Sequence, residues 1–277
     1  MNMSGTLYIV ATPIGNLDDI TFRAVEVLKS VDLIAAEDTR HTLKLLNHFG
    51  IEKPMTSYFE HNRFEKGKYL VEKLKSGENI ALVSDAGTPA ISDPGEDLVK
   101  LCVENGINVI PIPGASACLS ALVVSGLPTG RFAFEGFLTV NKRSRSERLS
   151  ELKNEKRTMI FYEAPHKLLK TLKDMYEAFG ERNISISREL TKIHEETLRM
   201  KLSEAISYFS ENPPKGEFVL VVEGCREENN ESPLKDLSAS ELVKHFLEKG
   251  LSEKEAIKAA AQELGVPKRE VYNEIKR

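Results

Sequence analysis

Short apolar runs alternate with amphipathic stretches through the first 112 residues, and this alternation is what most limits the fold. The runs are 7–11 (Leu7-Tyr8-Ile9-Val10-Ala11), 31–35, 80–83 and 107–112, with a shorter one near 55–58. Each is too short for a buried helix, and 7–11 and 80–83 are apolar throughout, as expected of a strand covered on both sides. Between them lie segments of helical period with stop signals at Gly50 and Gly106. Strands that alternate with helices build a mostly parallel sheet in an α/β domain. Asp18 and Asp19 can cap a helix over 21–29, and Thr39 one that runs to His48.

In such sheets ligands sit beyond the carboxyl ends of the strands. The longest connection there is Ser84-Asp85-Ala86-Gly87-Thr88-Pro89-Ala90-Ile91-Ser92-Asp93-Pro94-Gly95. Twelve residues are many for a strand-to-helix turn, and long loops in compact domains usually carry function. Asp93 can cap the next helix, with Pro94 at its first position and Glu96 at its third. The loop lacks a Walker lysine and a Gly-x-Gly-x-x-Gly fingerprint. No Lys or Arg occurs between Lys75 and Lys100, so a neutral or cationic ligand suits the loop better than a polyphosphate. A plain capped turn is the bland alternative.

Pro111-Ile112-Pro113-Gly114-Ala115-Ser116 breaks the pattern and sets a boundary between a domain at 1–112 and a second α/β domain at 113–225. In the second half, strands are expected at 131–138, 159–162, 184–188, 197–201 and 218–222, with an amphipathic helix over 166–179. The two strands near Ile186 and Leu198 are close enough to pair antiparallel, which makes this sheet mixed. Residues 226–237 turn polar and read as a linker. Three short helices over 238–277, parted by Gly250 and Gly265, resemble a helix-turn-helix module or a simple packing cap.

Charge and cysteine content exclude several classes. A net charge of -4 argues against wholesale coating of nucleic acid, so any RNA must meet a local patch. Residues 142–157 hold seven Lys or Arg against three Glu; Arg145, Arg148 and Lys153 could face phosphates or simply solvent. The three cysteines are scattered, without metal-ligand spacing, and no metal site is expected. No apolar stretch approaches the roughly 18 residues of a membrane span, and no signal peptide is recognisable, so a cytoplasmic protein without membrane contact is expected.

Four polar clusters fall just after expected strands: Glu37-Asp38-Thr39-Arg40-His41, Glu60-His61-Asn62, Tyr162-Glu163-Ala164-Pro165-His166 and Arg188-Glu189-Leu190-Thr191-Lys192. Each alone could be a decorated helix start or a surface ion pair. Their recurrence at strand ends in both halves points to a cleft between two domains.

These clusters, with Ala11-Thr12-Pro13-Ile14-Gly15-Asn16-Leu17-Asp18-Asp19, the loop 84–95 and Pro113-Gly114-Ala115-Ser116-Ala117, resemble the ribosomal RNA small-subunit methyltransferase I group of the tetrapyrrole methylase superfamily. The seven motifs occur in order over nearly the whole chain. Two positions depart: Thr139 follows Gly136-Phe137-Leu138 where proline is usual, and Lys167 stands where arginine is common. The resemblance implies two α/β domains with an interdomain cleft, a terminal helical module, a homodimer, and S-adenosylmethionine (SAM) as methyl donor. It implies 2'-O-methylation of a cytidine ribose in the decoding region of 16S rRNA, within the 30S subunit. By motif, Ile14, Asp85, Thr88, Ser116, Ala117 and Tyr162 would contact the donor. Asp38, Glu60 and His61 are the candidate bases, and Arg40, Asn62, Arg188 and Lys192 the candidate RNA contacts. Methylation of a tetrapyrrole or a modified histidine, or RNA binding without catalysis, are the other readings.

Overall fold

The computed structural model describes residues 4–226 and 237–276. They fall in two compact units, Met1–Cys225 and Arg226–Arg277. Most of the expected linker, residues 227–236, lies outside the described residues.

In chain order the first sheet region comprises β1 (Thr6–Val10), α1 (Phe22–Ser30), β2 (Leu33–Ala36), α2 (Thr39–His48), β3 (Met55–Ser57), α3 (Arg63–Lys75), β4 (Ile80–Val83), α4 (Gly95–Glu104) and β5 (Asn108–Ile112). The strands are all parallel, in the order β3-β2-β4-β1-β5. Side chains alternate between the faces with period two. Leu7, Ile9, Leu33, Ala35, Ile80 and Leu82 pack on Leu70, Leu74 and Leu98 of α3 and α4. Val10, Ile34, Ala36, Ala81 and Val83 pack on Ala24, Leu28 and Leu46 of α1 and α2. Burial on both faces is why β2 and β4 carry no polar residue.

The chain then forms α5 (Ala117–Val124), β6 (Phe132–Phe137), α6 (Lys142–Leu152), β7 (Thr158–Glu163), α7 (Pro165–Phe179), β8 (Asn183–Arg188), β9 (Glu196–Lys201), α8 (Leu202–Glu211) and β10 (Phe218–Val222). The second sheet has the order β6-β7-β10-β8-β9; β6 and β7 are parallel, and every other pair is antiparallel. This is the expected mixed sheet. One face, with Phe161, Ile186 and Leu220, packs on α6, α7 and α8 through Leu149, Leu168, Leu172 and Phe209. The other, with Ile160, Val219 and Val221, receives Cys118, Ala121 and Leu122 of α5. Each large side chain so buried contributes about 1.5–3 kcal/mol.

The second unit contains α9 (Ala239–Glu248), α10 (Glu253–Leu264) and α11 (Lys268–Ile275). Ser238 with Glu241 and Ser252 with Glu255 form capping boxes at the starts of α9 and α10, and Gly265 ends α10 in the left-handed conformation. Leu242, Val243, Ala256, Ile257, Ala260 and Val271 form its core.

Three caps differ from the sequence expectation. Asp18 and Asp19 belong to a short 3-10 turn, and the Thr21 hydroxyl caps α1 by accepting from Ala24 N–H. Asp38, not Thr39, caps α2 by accepting from Arg40 N–H at 2.8 Å. Pro94 occupies the cap position of α4, one residue later than expected; Asp93 accepts from Gly95 N–H at 2.7 Å and from Ala90 N–H at 2.9 Å. Asp93 therefore straps the preceding loop as well as starting the helix.

Candidate active site

A cavity of about 670 Å³ opens where the carboxyl ends of first-sheet strands meet the second sheet. Such a volume suits a ligand of cofactor size. Three connections build its first wall. Thr12 N–H donates to Gly87 O at 2.9 Å and Gly87 N–H to Thr12 O at 3.1 Å, which ties the loop after β1 to the loop after β4. Gly87 has φ of +80°, and a side-chain carbon there would stand 3.2 Å from Ile14 Cγ2, so glycine permits the close approach. The Thr88 hydroxyl donates to Ala115 O at 3.2 Å and joins the same loop to the start of α5.

The opposite wall comes from the second sheet. Tyr162, near the end of β7, accepts from Cys118 N–H at 3.1 Å and is flanked edge-on by Phe134 and Phe137, with ring centres 5.0 and 5.5 Å away. Burial pushes its phenol up to about 12. Glu163 is buried, accepting from the Thr171 hydroxyl at 2.6 Å and from Ala164 N–H at 2.8 Å. Lys192 also lines the cavity, bound to Glu189 at 3.1 Å and Glu217 at 3.0 Å.

Backbone strain concentrates in the two loops that close the cavity. Ala90 and Ser92 in one, Glu189 and Thr191 in the other, have φ between +50° and +66°. Non-glycine residues hold this conformation only when their surroundings dictate it, and such positions cluster at functional sites.

The first wall is acidic. Glu37, Asp85 and Asp93 line it, and Asp85 Oδ1 accepts from Asp38 N–H at 3.0 Å. Burial first, and then the neighbouring Asp85, raise Glu37 above the usual carboxylate range; burial raises Asp93.

The structure thus gathers Ile14, Asp85, Thr88, Ser116, Ala117, Tyr162 and Lys192 around one space. It does not place Asp38, Arg40, Glu60, His61, Asn62 or Arg188 in the lining. Asp38 caps α2 and pairs with Arg40 at 2.6 Å, and the Arg40 hydrogen bonds hold its carboxyl well below the usual range. Glu60 pairs with Arg63, and the ring of His61 stands edge-on to Phe59. The Asn62 amide accepts from Phe59 N–H and donates to Ser57, bracing the turn into α3. Arg188 pairs with Glu196 at 2.8 Å.

The basic stretch at 142–157 is largely neutralised. Arg145 is only 6% exposed, bound to Asp174 at 2.7 Å and to the carbonyls of Thr139 and Val140. Arg148 is held by Glu135 and Glu151.

Glu37, Asp93, Glu163 and His166 line the cavity without having been among the expected site residues. Their motifs were visible in sequence, but not which members point inward. Among the described residues, no group of three or more His, Cys, Asp or Glu could hold a metal, and no helix is long and apolar enough to cross a membrane.

Comparison with known proteins agrees with this architecture. Residues 6–206 match the family described as Tetrapyrrole (Corrin/Porphyrin) Methylases. A Synechocystis protein named Ribosomal RNA small subunit methyltransferase I is 54% identical over 97% of this chain and 96% of its own length. A Halalkalibacterium halodurans protein of the same name is 55% identical, over 97% and 94% respectively. Uroporphyrin-III C-methyl transferase from Thermus thermophilus, solved with S-adenyl homocysteine, shares the fold with a TM-score of 0.55 at 16% identity, covering 78% of this chain and 97% of its own. The chain belongs to the tetrapyrrole methylase family, where its relatives at about half identity carry the name Ribosomal RNA small subunit methyltransferase I.

Proposed function

We propose that this protein transfers the methyl group of SAM to the 2'-oxygen of a cytidine ribose in the decoding region of 16S rRNA. It acts in the cytoplasm as a homodimer on the 30S subunit. The observation that carries the reading is convergence: Ile14, Asp85, Thr88, Ser116, Ala117 and Tyr162 come from separate loops of both sheets and line one cavity. The full-length relatives named for small-subunit rRNA methylation support the RNA as acceptor.

The cavity chemistry fits the donor. SAM supplies a methyl group on a positively charged sulfur and has no phosphate. The wall with Glu37, Asp85 and Asp93 favours such a cation, while Lys192 is already neutralised by Glu189 and Glu217. The Ser116 side chain does not cap α5; with the Cys118 N–H taken by Tyr162, the neighbouring main-chain N–H groups of the first turn are left for an amino-acid carboxylate. Tyr162, held by Cys118 and by two aromatic edges, offers an apolar face for the adenine. The work of the protein is then chiefly to hold the ribose oxygen in line with the methyl group, and such positioning supplies much of the rate.

Arg40, Asn62, Arg188 and Lys192 remain the RNA contacts of this reading, with altered duties. Arg40 and Arg188 lie outside the cavity lining, each paired with a carboxylate that phosphate would have to replace. Asn62 and Lys192 shape the loops beside the acceptor. For the homodimer, α5 carries apolar side chains on its buried and its exposed faces, with Ser120 its one polar residue: Cys118, Ala121 and Leu122 are buried, while Leu119, Val123 and Val124 are exposed. Such a contiguous apolar surface suits a second copy.

Calorimetric titration with SAM tests the reading at its base. Saturable binding at one site per chain is expected. Failure of the well-folded protein to bind would contradict it.

A further inference from the structure

The carboxylate and phenol groups in the cavity are not equally free. Asp85 and Asp93 each use an oxygen to hold main-chain N–H groups. Glu163 has both oxygens engaged, and Glu217 is paired with Lys192. The Tyr162 oxygen is already occupied by the Cys118 N–H. Glu37 differs. A distant Asp85 N–H, 3.5 Å from Oε2, is its one hydrogen-bonding neighbour among the described residues. It follows directly on β2, so its main chain is fixed by the sheet while its carboxyl reaches the cavity wall beside Asp85.

We propose that Glu37 is the proton acceptor for the ribose hydroxyl, an inference that rests on the cavity being the SAM site of an RNA ribose methyltransferase. As the 2'-oxygen forms its bond to the methyl carbon, the methyl–sulfur bond breaks and its electron pair stays on sulfur as a neutral thioether. The hydroxyl proton passes to a free Glu37 oxygen and from there to solvent. Asp85, Asp93 and Asp38 are the charged groups near enough to disfavour the ionised form of Glu37. Burial and these neighbours make Glu37 a stronger acceptor than Asp38, which Arg40 holds ionised. A donor cation beside Glu37 then favours its ionised form, so the base is ready when both substrates are bound.

Two measurements test this. In the first, the affinity of the wild-type protein for SAM rises with pH as Glu37 ionises, because the carboxylate favours the cation. S-adenosylhomocysteine, a neutral thioether, shows no such rise, and Glu37→Gln removes it for SAM. In the second, single-turnover transfer to 30S subunits is followed at saturating SAM. There Glu37→Gln loses about 100-fold or more and the fall in rate toward acid pH, while Glu37→Asp keeps part of the rate. A Glu37→Gln rate within about threefold of wild type, or an acid limb that persists in Glu37→Gln, would overturn the role of Glu37 alone. Wild-type protein that binds SAM and transfers nothing to the subunit would overturn the functional reading along with it.

Discussion

Asp85→Asn is expected to weaken SAM binding by roughly 10- to 100-fold, the loss that follows when a charged hydrogen-bonding partner worth about 1.5–3 kcal/mol is neutralised. The substitution isolates charge from shape. Asn keeps an oxygen that can accept the Asp38 N–H, so the junction between the loop after β4 and the start of α2 survives. Asp85→Ala removes that acceptor as well and should cost some thermal stability in addition. S-adenosylhomocysteine separates the effects further, because its uncharged sulfur should lose less than SAM on Asp85→Asn. Calorimetry with both ligands measures the difference, and unchanged SAM affinity in Asp85→Asn would refute the placement of the donor.

Gly15→Val has the second large effect, and its cause is steric. A side-chain carbon at Gly15 would stand 2.5 Å from Lys192 Cγ, 2.9 Å from Thr191 Oγ1 and 3.0 Å from Leu190 O. The lysine stem can shift, but Thr191 already has φ of +66° and the Leu190 carbonyl is main chain, so the loop between β8 and β9 must move bodily. Overpacking of this kind costs about 1–3 kcal/mol. The displaced residues adjoin Ile14 and Lys192 of the cavity lining, so a drop in melting temperature should accompany a loss of SAM affinity greater than about tenfold. Gly130→Ala is the control: nothing lies within 4 Å of an added carbon there, and both properties should stay at wild-type values.

The parallel sheet was legible because strands buried on both faces must be apolar throughout, as Ile80-Ala81-Leu82-Val83 is. The antiparallel neighbours β8 and β9 were legible from the short connection between them. The loop 84–95 of the cavity wall could be located because twelve residues are many for a strand-to-helix connection. What sequence could not resolve was which of two adjacent groups does a given task. Asp38 and Thr39 are both good caps, and only the main-chain path assigns the task to Asp38. Glu37 and Asp38 are adjacent carboxylates, yet one lines the cavity and the other pairs with Arg40. Arg145 read as either a phosphate contact or a solvated side chain, because its partner Asp174 lies on another helix, 29 residues away. Long-range pairing of this kind leaves no local signal.

Delivery of a methyl group from the cavity to ribose in RNA is the step on which the proposed activity turns. Its most direct measurement is mass spectrometric mapping of 16S rRNA after 30S subunits that lack the modification are incubated with this protein and SAM. A single new 2'-O-methylcytidine in the decoding region is the expected product, absent when SAM is omitted. RNA that stays unmethylated while the protein binds SAM, or a methyl group found on a base instead of a ribose oxygen, would contradict the claim.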